Sequence, residues 1–180
     1  MNAGEGSSME AKGIILASLN ESKGYLYLAL NDLPEGEMTW APAPYCNSLA
    51  FILWHVTRVE DTIVNEIIKH GGTIYELQGW REKLGTPEDW GTEYTEEQLQ
   101  SWPTPRLEDL RGYARAVHRD TVAFLDSITP EDLLEIPQLD WPNRTAGVLL
   151  AHLITEIAMH VGQIDYLRGV HRGLKRKNWP

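Results

Sequence analysis

Apolar residues recur at steps of three and four along four long segments of the chain, which is the spacing of a helix that buries one face. The stripes predict helices over residues 9–33, 47–70, 107–128 and 145–169, and the inward-facing stripe of the last helix begins at Val148. Asn47 or Ser48 is suited to cap the second helix. Together the four segments predict an all-α fold, a four-helix bundle that forms a single domain over residues 9–172.

The connection between the second and third helices is unusually long. Residues 72–105 show no sustained period, although short helical segments are predicted near residues 79–84 and 95–100. Connections of about thirty residues inside a compact domain are usually functional. We therefore expect this one to form a lid or a pocket wall.

The other connections and the two ends are short. Residues 34–46 contain three prolines and are predicted to be a loop. Residues 129–132 are predicted to cap and begin a short helix, and residues 140–143 to form a turn before the fourth long helix. Residues 1–8 are predicted to be a flexible N-terminus, and residues 173–180 a short basic tail.

Composition and charge exclude several classes of function. The formal net charge of −10 opposes binding to nucleic-acid phosphates. No apolar run appears long enough to span a membrane, and the N-terminus lacks a signal-peptide pattern, so we expect a cytoplasmic protein with no membrane partner. The single cysteine, Cys46, excludes an internal disulfide and a site built from several thiolates. A metal must then be held by histidine and carboxylate.

Three potential metal ligands, His152, Glu156 and His160, follow one another at intervals of four residues on the fourth predicted helix. Side chains with this spacing stack on one face, but His152 and His160 are about 12 Å apart along the axis and cannot share one ion. Measured from the centre of the apolar arc, His160 lies about 60° away, Glu156 about 100° and His152 about 140°. The pair nearest the core is therefore Glu156 and His160, and His152 is expected at the rim.

A third ligand must come from another helix, because two leave an ion undersupplied. His55 lies on the flank of the second helix, about 100° from the centre of its apolar stripe. His55, Glu156 and His160 form the candidate site, and such ligands suit Zn²⁺, Ni²⁺ or Fe²⁺. Three protein ligands leave a position for water or substrate, as in catalytic sites. The alternative is that Glu156 and His160 form only a solvated hydrogen bond between residues four apart.

Three further polar residues could support this site without touching the ion. Glu60 falls inside the apolar arc of the second helix and therefore needs a partner or a raised pKa. It could support a ligand, or it could pair with an arginine or tyrosine of the bundle. His152 could hydrogen-bond to Glu156, and Gln163 could fix helix contacts or support the site.

Three short motifs resemble the DinB superfamily: Trp54-His55 on the second helix, His160-Val161-Gly162-Gln163 on the fourth, and Leu150-Ala151-His152 ahead of Glu156. The resemblance extends over nearly the whole chain in helix order and spacing. It implies an up-down-down-up four-helix bundle with a long, partly helical loop between helices 2 and 3. It also implies a divalent metal held by one ligand on the second helix and two on the fourth, which correspond here to His55, Glu156 and His160.

The sequence departs from the commonest family pattern at Glu156, where many relatives have histidine. The His-Glu-His set is similar to that of the mycothiol-dependent maleylpyruvate isomerase branch, which uses zinc. Exchanging a neutral ligand for an anionic one lowers the net charge of the site and should make a bound water somewhat less acidic.

The resemblance implies a metal-dependent enzyme that acts on a small molecule. Its reaction would be S-transfer or isomerisation with a low-molecular-weight thiol, or a hydrolysis. The alternative is a non-catalytic binding or structural bundle with incidental metal or none, because a fold does not fix a function. Relatives often pair through bundle faces, so the resemblance is also compatible with a homodimer.

Overall fold

The computed structural model describes residues 3–137 and 144–173, and within these ranges the chain forms helices and no strand. The α-helices are α1 (Ala3–Ala29), α2 (Leu49–Asp61), α3 (Ile74–Leu77), α4 (Trp80–Leu84), α5 (Glu96–Ser101), α6 (Leu107–Ser127) and α7 (Ala146–Arg172). A π-helical turn, Thr62–Ile68, continues α2, and short 3-10 turns occupy Glu35–Glu37 and Asp132–Leu134. The predicted all-α fold is confirmed.

The four long helices α1, α2, α6 and α7 form the bundle, in which α1 packs along α7 and α2 packs along both α6 and α7. Hydrogen bonds between helix ends fix the directions. Arg111, at the start of α6, and Arg168, near the end of α7, donate to the carbonyls of Leu30 and Ala29 at the end of α1. Lys12, near the start of α1, donates to the carbonyl of Ile128 after α6. Lys69, which follows the π-helical turn at the end of α2, pairs with Asp120 in the second half of α6 at 2.7 Å, so α2 and α6 run in the same direction. The order is therefore up, down, down, up.

The buried faces of the helices are those that the apolar stripes predicted, with one exception on α7. Leu153, Ile157 and Ile164 are fully buried, but Val148, which we predicted to face inward, is 50% exposed. At this end of α7 the adjacent residues Leu149 and Leu150 face the bundle instead, which turns Val148 towards solvent. The predicted stripe included this residue at the N-terminal end of α7 because both sides of the helix are apolar there.

Side-chain caps confirm two of the predicted helix starts. Ser48 accepts a hydrogen bond from the backbone N–H of Phe51 at 3.2 Å, and Thr145 caps α7 in the same way. Helix α1 begins at Ala3, ahead of the predicted start at Met9, and α7 continues to Arg172. The turn predicted at residues 140–143 and nearly all of the predicted tail lie outside the described residues.

The long connection between α2 and α6 is partly helical, as predicted: α4 and α5 coincide with the two expected segments, whereas α3 was not predicted. The buried carboxylate of Asp61 holds its first part in place. It accepts hydrogen bonds from the backbone N–H groups of Ile74 and Tyr75, each at 2.8 Å, and from the hydroxyl of Tyr113 at 2.7 Å. This four-residue helix is therefore fixed by a side chain from α2, which local periodicity does not encode.

Arg58 holds the second part of the same connection. Its guanidinium donates to the carbonyl of Glu88 at 2.6 Å and to that of Asp89 at 3.3 Å, and it lies over the ring of Tyr75 at 4.1 Å. Because charge-assisted hydrogen bonds are strong, residues 88–90 are held firmly against α2. The connection is a fixed wall beside the bundle at the level of His55.

Helix α7 is long and apolar enough to cross a membrane, contrary to our expectation that no segment would be. Its inward side chains are nevertheless buried against the other helices of the bundle. The core helix of a water-soluble bundle passes the same test of length and composition, so this feature gives only weak support for a membrane span.

Candidate metal centre

His55 on α2 and Glu156 and His160 on α7 meet between the two helices. Each offers one ligand atom, and these atoms all lie within 4.8 Å of one another. The Nε2 atom of His160 lies 3.4 Å from the nearer carboxylate oxygen of Glu156. The rings of His55 and His160 are nearly perpendicular, at 77°, with their centroids 4.8 Å apart. The structure thus brings together the three residues that the sequence proposed.

The hydrogen bonds of the two imidazoles leave the same nitrogen free on each ring. Nδ1 of His55 contacts the backbone carbonyl of Trp90, which can only accept, so Nδ1 must carry the proton. Nδ1 of His160 lies 2.9 Å from Oε1 of Gln163 and donates to it. Both Nε2 atoms therefore keep a lone pair for a metal. Metal-binding histidines in proteins are usually oriented by such a second hydrogen bond.

Burial keeps His55 in its neutral form. Loss of hydration lowers the pKa of His55 below its ordinary value, and His160 acts in the same direction. The contact with the Trp90 carbonyl and the charge of Glu156 oppose this effect but do not overcome it. Because a metal binds the neutral imidazole, the lowered pKa favours metal binding down to a more acidic pH.

The donor set and its spacing fit a small divalent ion. Two atoms bound at about 2.0–2.1 Å to a tetrahedral ion lie about 3.4 Å apart. The His160–Glu156 separation already has this value. The widest separation in the cluster, 4.8 Å, would have to contract by about 1.4 Å, within reach of side-chain rotation. Two imidazoles and one carboxylate are ligands that zinc accepts.

The exposure of the three residues on α7 follows the predicted order. The side chain of His160 is 11% exposed, that of Glu156 20% and that of His152 33%. Nε2 of His152 lies 3.7 Å from Glu156 on the side away from His160. His152 is thus a neighbour of the carboxylate at the rim, as expected, and Gln163 contacts His160 directly.

Glu60 lies away from the cluster and takes the other of its two predicted roles. It is fully buried and pairs with Lys23 of α1, with His118 of α6 at 3.5 Å on its other oxygen. Burial alone would raise the pKa of Glu60, but the Lys23 ammonium and the His118 contact outweigh it and hold the pKa below its ordinary value. The partner is a lysine rather than the arginine or tyrosine that we expected.

The backbone of Trp90 and the glycine after it are parts of the site that sequence patterning did not find. Gly91 has a φ of +78°, and a Cβ there would lie 2.6 Å from the Trp54 ring and 2.8 Å from the Phe51 ring. Only glycine lets the chain approach α2 this closely, so it sets the position of the Trp90 carbonyl. The one available signal was a glycine directly after a tryptophan in the long connection.

We predict that Gly91→Ala weakens zinc binding by about 10- to 100-fold, because the added Cβ pushes the Trp90 carbonyl away from His55. Zinc affinity measured by competition with a chromogenic chelator tests this prediction. Gly85→Ala is the matched control, because Gly85 also has a positive φ, of +64°, but has open space around its Cβ position. Equal losses in the two variants would refute the positioning role of Gly91.

This geometry defines a class of protein: a four-helix bundle with a candidate His-Glu-His metal centre between its second and last long helices. Residues 19–164 match the DinB superfamily, and this range includes all three residues of the cluster. The chain belongs to the DinB superfamily, as its motifs indicated.

A crystal structure of a conserved protein from Enterococcus faecalis is similar to this chain, with a TM-score of 0.76 and 25% sequence identity. The alignment covers 88% of this chain and 95% of that one. No curated protein matches the chain. The narrower resemblance to the mycothiol-dependent branch stays a prediction.

Proposed function

We propose that the protein is a divalent-metal-dependent enzyme, with zinc as the preferred ion, that acts on a small molecule with the help of a low-molecular-weight thiol. One observation carries the proposal: His55, Glu156 and His160 converge, and both imidazoles have Nδ1 engaged and Nε2 free. Nickel or iron would also accept these ligands. When bound, such an ion supplies Lewis acidity, which brings the pKa of a coordinated thiol or water towards neutrality.

The protein's residues would prepare the site for that chemistry. The carboxylate of Glu156 cancels one of the two positive charges of a divalent ion, so a coordinated thiol keeps the benefit of the remaining charge. His55 is held by a backbone carbonyl of the fixed connection, so it cannot swing away when substrate binds. With three protein ligands, at least one position is left for thiol, water or substrate.

We predict that Gln163→Ala lowers zinc affinity by roughly tenfold, because His160 loses the acceptor that fixes its Nδ1–H tautomer. Gln163→Glu keeps an acceptor at this position and should stay close to wild type. Both affinities can be measured by chelator competition. If Gln163→Glu bound zinc as weakly as Gln163→Ala, the prediction that residue 163 orients His160 would be wrong.

The reaction can be tested by offering the zinc-loaded, untagged protein a panel of small thiols with electrophilic substrates, and separately esters and amides. Thiol-dependent turnover that disappears in Glu156→Ala supports the transferase or isomerase. Turnover without thiol indicates the hydrolase instead. A protein that cannot be loaded with any divalent metal would favour the alternative of a non-catalytic binding or structural bundle.

We further propose that the protein works in the cytoplasm as a homodimer, without nucleic-acid or membrane partners. The net charge of −10 supports the exclusion of nucleic acid. Met159, Tyr166 and Val170 are exposed apolar residues on α7 and would suit a pairing surface. Light scattering should then give twice the chain mass of 20.4 kDa, and a monomer at micromolar concentration would contradict this proposal.

A further inference from the structure

A pocket of about 490 Å³ opens between the connection that follows α1, the start of α2 and the end of α5. Thr39, Pro42, Cys46, Phe51, Leu99 and Trp102 are among its lining residues. Its volume lies within the range of pockets that hold small organic ligands. The metal ligands do not line it, so it is a separate cavity from the candidate centre.

The ring of Phe51 lies between this pocket and His55 of the candidate metal centre. Its ring lines the pocket and also lies parallel to the His55 imidazole, with an interplanar angle of 3° and centroids 6.3 Å apart. Residues 51 and 55 are one helical turn apart, about 6 Å along α2. Trp102 lines the pocket too, and its ring contacts Phe51 at 5.4 Å. A molecule in the pocket is therefore separated from His55 by the buried ring of Phe51.

The pocket wall is uncharged, although the chain as a whole is strongly acidic. Among the described residues, those that line the pocket include no Asp, Glu, Lys, Arg or His. Aromatic and aliphatic side chains form part of the wall, and Ser48, Gln100 and Thr104 add neutral polar groups. A carboxylate or phosphate placed there would lose hydration without gaining a cation, which disfavours its binding.

We infer that this pocket binds an uncharged small molecule that carries an aromatic or similar flat ring. The inference goes beyond the proposed function, because the buried Phe51 ring separates the pocket from the candidate metal centre. A dicarboxylate does not suit this wall. Binding of the ring is a property of the pocket itself and does not need the metal.

Cys46 provides a reporter for this inference, because it lines the pocket and is the single cysteine of the chain. The rate at which iodoacetamide alkylates Cys46 is measured by mass spectrometry on metal-free and zinc-loaded protein. Benzamide and benzoate, which have the same size but differ in charge, are added as probes. Benzamide should slow alkylation at least threefold at millimolar concentration, and benzoate should have at least tenfold weaker effect on the metal-free protein.

Two variants connect any protection to the pocket. Ala43→Trp fills the cavity beside Cys46, so benzamide should no longer slow the alkylation of Cys46 in this variant. Ala17→Trp, at an exposed alanine of α1, should leave the effect of benzamide unchanged. Equal protection by benzoate, no protection by benzamide, or benzamide protection that persists in Ala43→Trp would each overturn the inference. Failure to bind zinc with benzamide protection intact would instead count against the proposed function alone.

Discussion

Replacing His160 with alanine should lower the affinity of the protein for zinc by at least about 100-fold. Changes to residues that only orient a ligand cost 10- to 100-fold, so loss of a ligand should cost as much or more. His160 is the most buried of the three candidate ligands and lies 3.4 Å from Glu156. A solvent-exposed side chain could take its place as a ligand only if the helices rearranged. Elemental analysis of untagged protein and chelator competition provide the two measurements.

His152→Ala is the matched control, because His152 is on the same helix and as close in sequence to Glu156 as His160 is. It lies at the rim, 3.7 Å from the carboxylate, and its loss should change zinc affinity by less than tenfold. Equal effects of the two substitutions would mean that general charge near Glu156, and not coordination, controls binding. Full zinc content in His160→Ala would exclude this histidine as a ligand.

Replacing Lys23 with alanine should destabilise the protein by about 3–5 kcal/mol, because it leaves the Glu60 carboxylate buried without its counter-charge. Lys23 and Glu60 are 1% and 0% exposed and form a close ion pair between α1 and α2. Glu60→Ala should lower the free energy of unfolding by a similar amount, because it leaves the Lys23 ammonium buried without its counter-charge. Urea unfolding followed by circular dichroism measures these losses as changes in the free energy of unfolding.

The double variant Lys23→Met, Glu60→Leu removes both charges but keeps similar side-chain volumes, so it distinguishes the effect of the charges from the effect of packing. Replacing both charges with apolar side chains of similar size removes the cost of burying them, so most of the lost stability should return. The contact of Glu60 with His118 is also lost, but the His118 side chain is 18% exposed, so part of its ring stays in contact with water. Single variants within 1 kcal/mol of wild type would show that the ion pair does not carry this part of the core.

The helices could be predicted from the sequence because each long helix buries one face and therefore repeats its apolar residues with the helical period. The prediction for Val148 was wrong, because apolar residues occur on several sides of this part of α7 and their spacing does not indicate which side is buried. Apolar spacing also did not predict α3, which depends on hydrogen bonds to Asp61 from another helix. Elements that are fixed by long-range polar contacts leave little local pattern.

Some parts of the candidate site could likewise be predicted from the sequence, and others could not. Glu156 and His160 could be placed by their spacing on one helix, and their exposure follows the wheel. The Trp90 carbonyl could not be predicted, because any residue can supply a carbonyl and only the fold brings this one to His55. Lys23 was missed because a lysine within a helical pattern is normally assigned to the solvent side.

The most direct test of the account is a crystal structure of the untagged, zinc-loaded protein with anomalous data collected at the zinc edge. We expect one strong anomalous peak within about 2.0–2.2 Å of Nε2 of His55, a carboxylate oxygen of Glu156 and Nε2 of His160. A peak coordinated by other residues, or a loaded crystal with no peak between α2 and α7, would contradict the proposed metal centre.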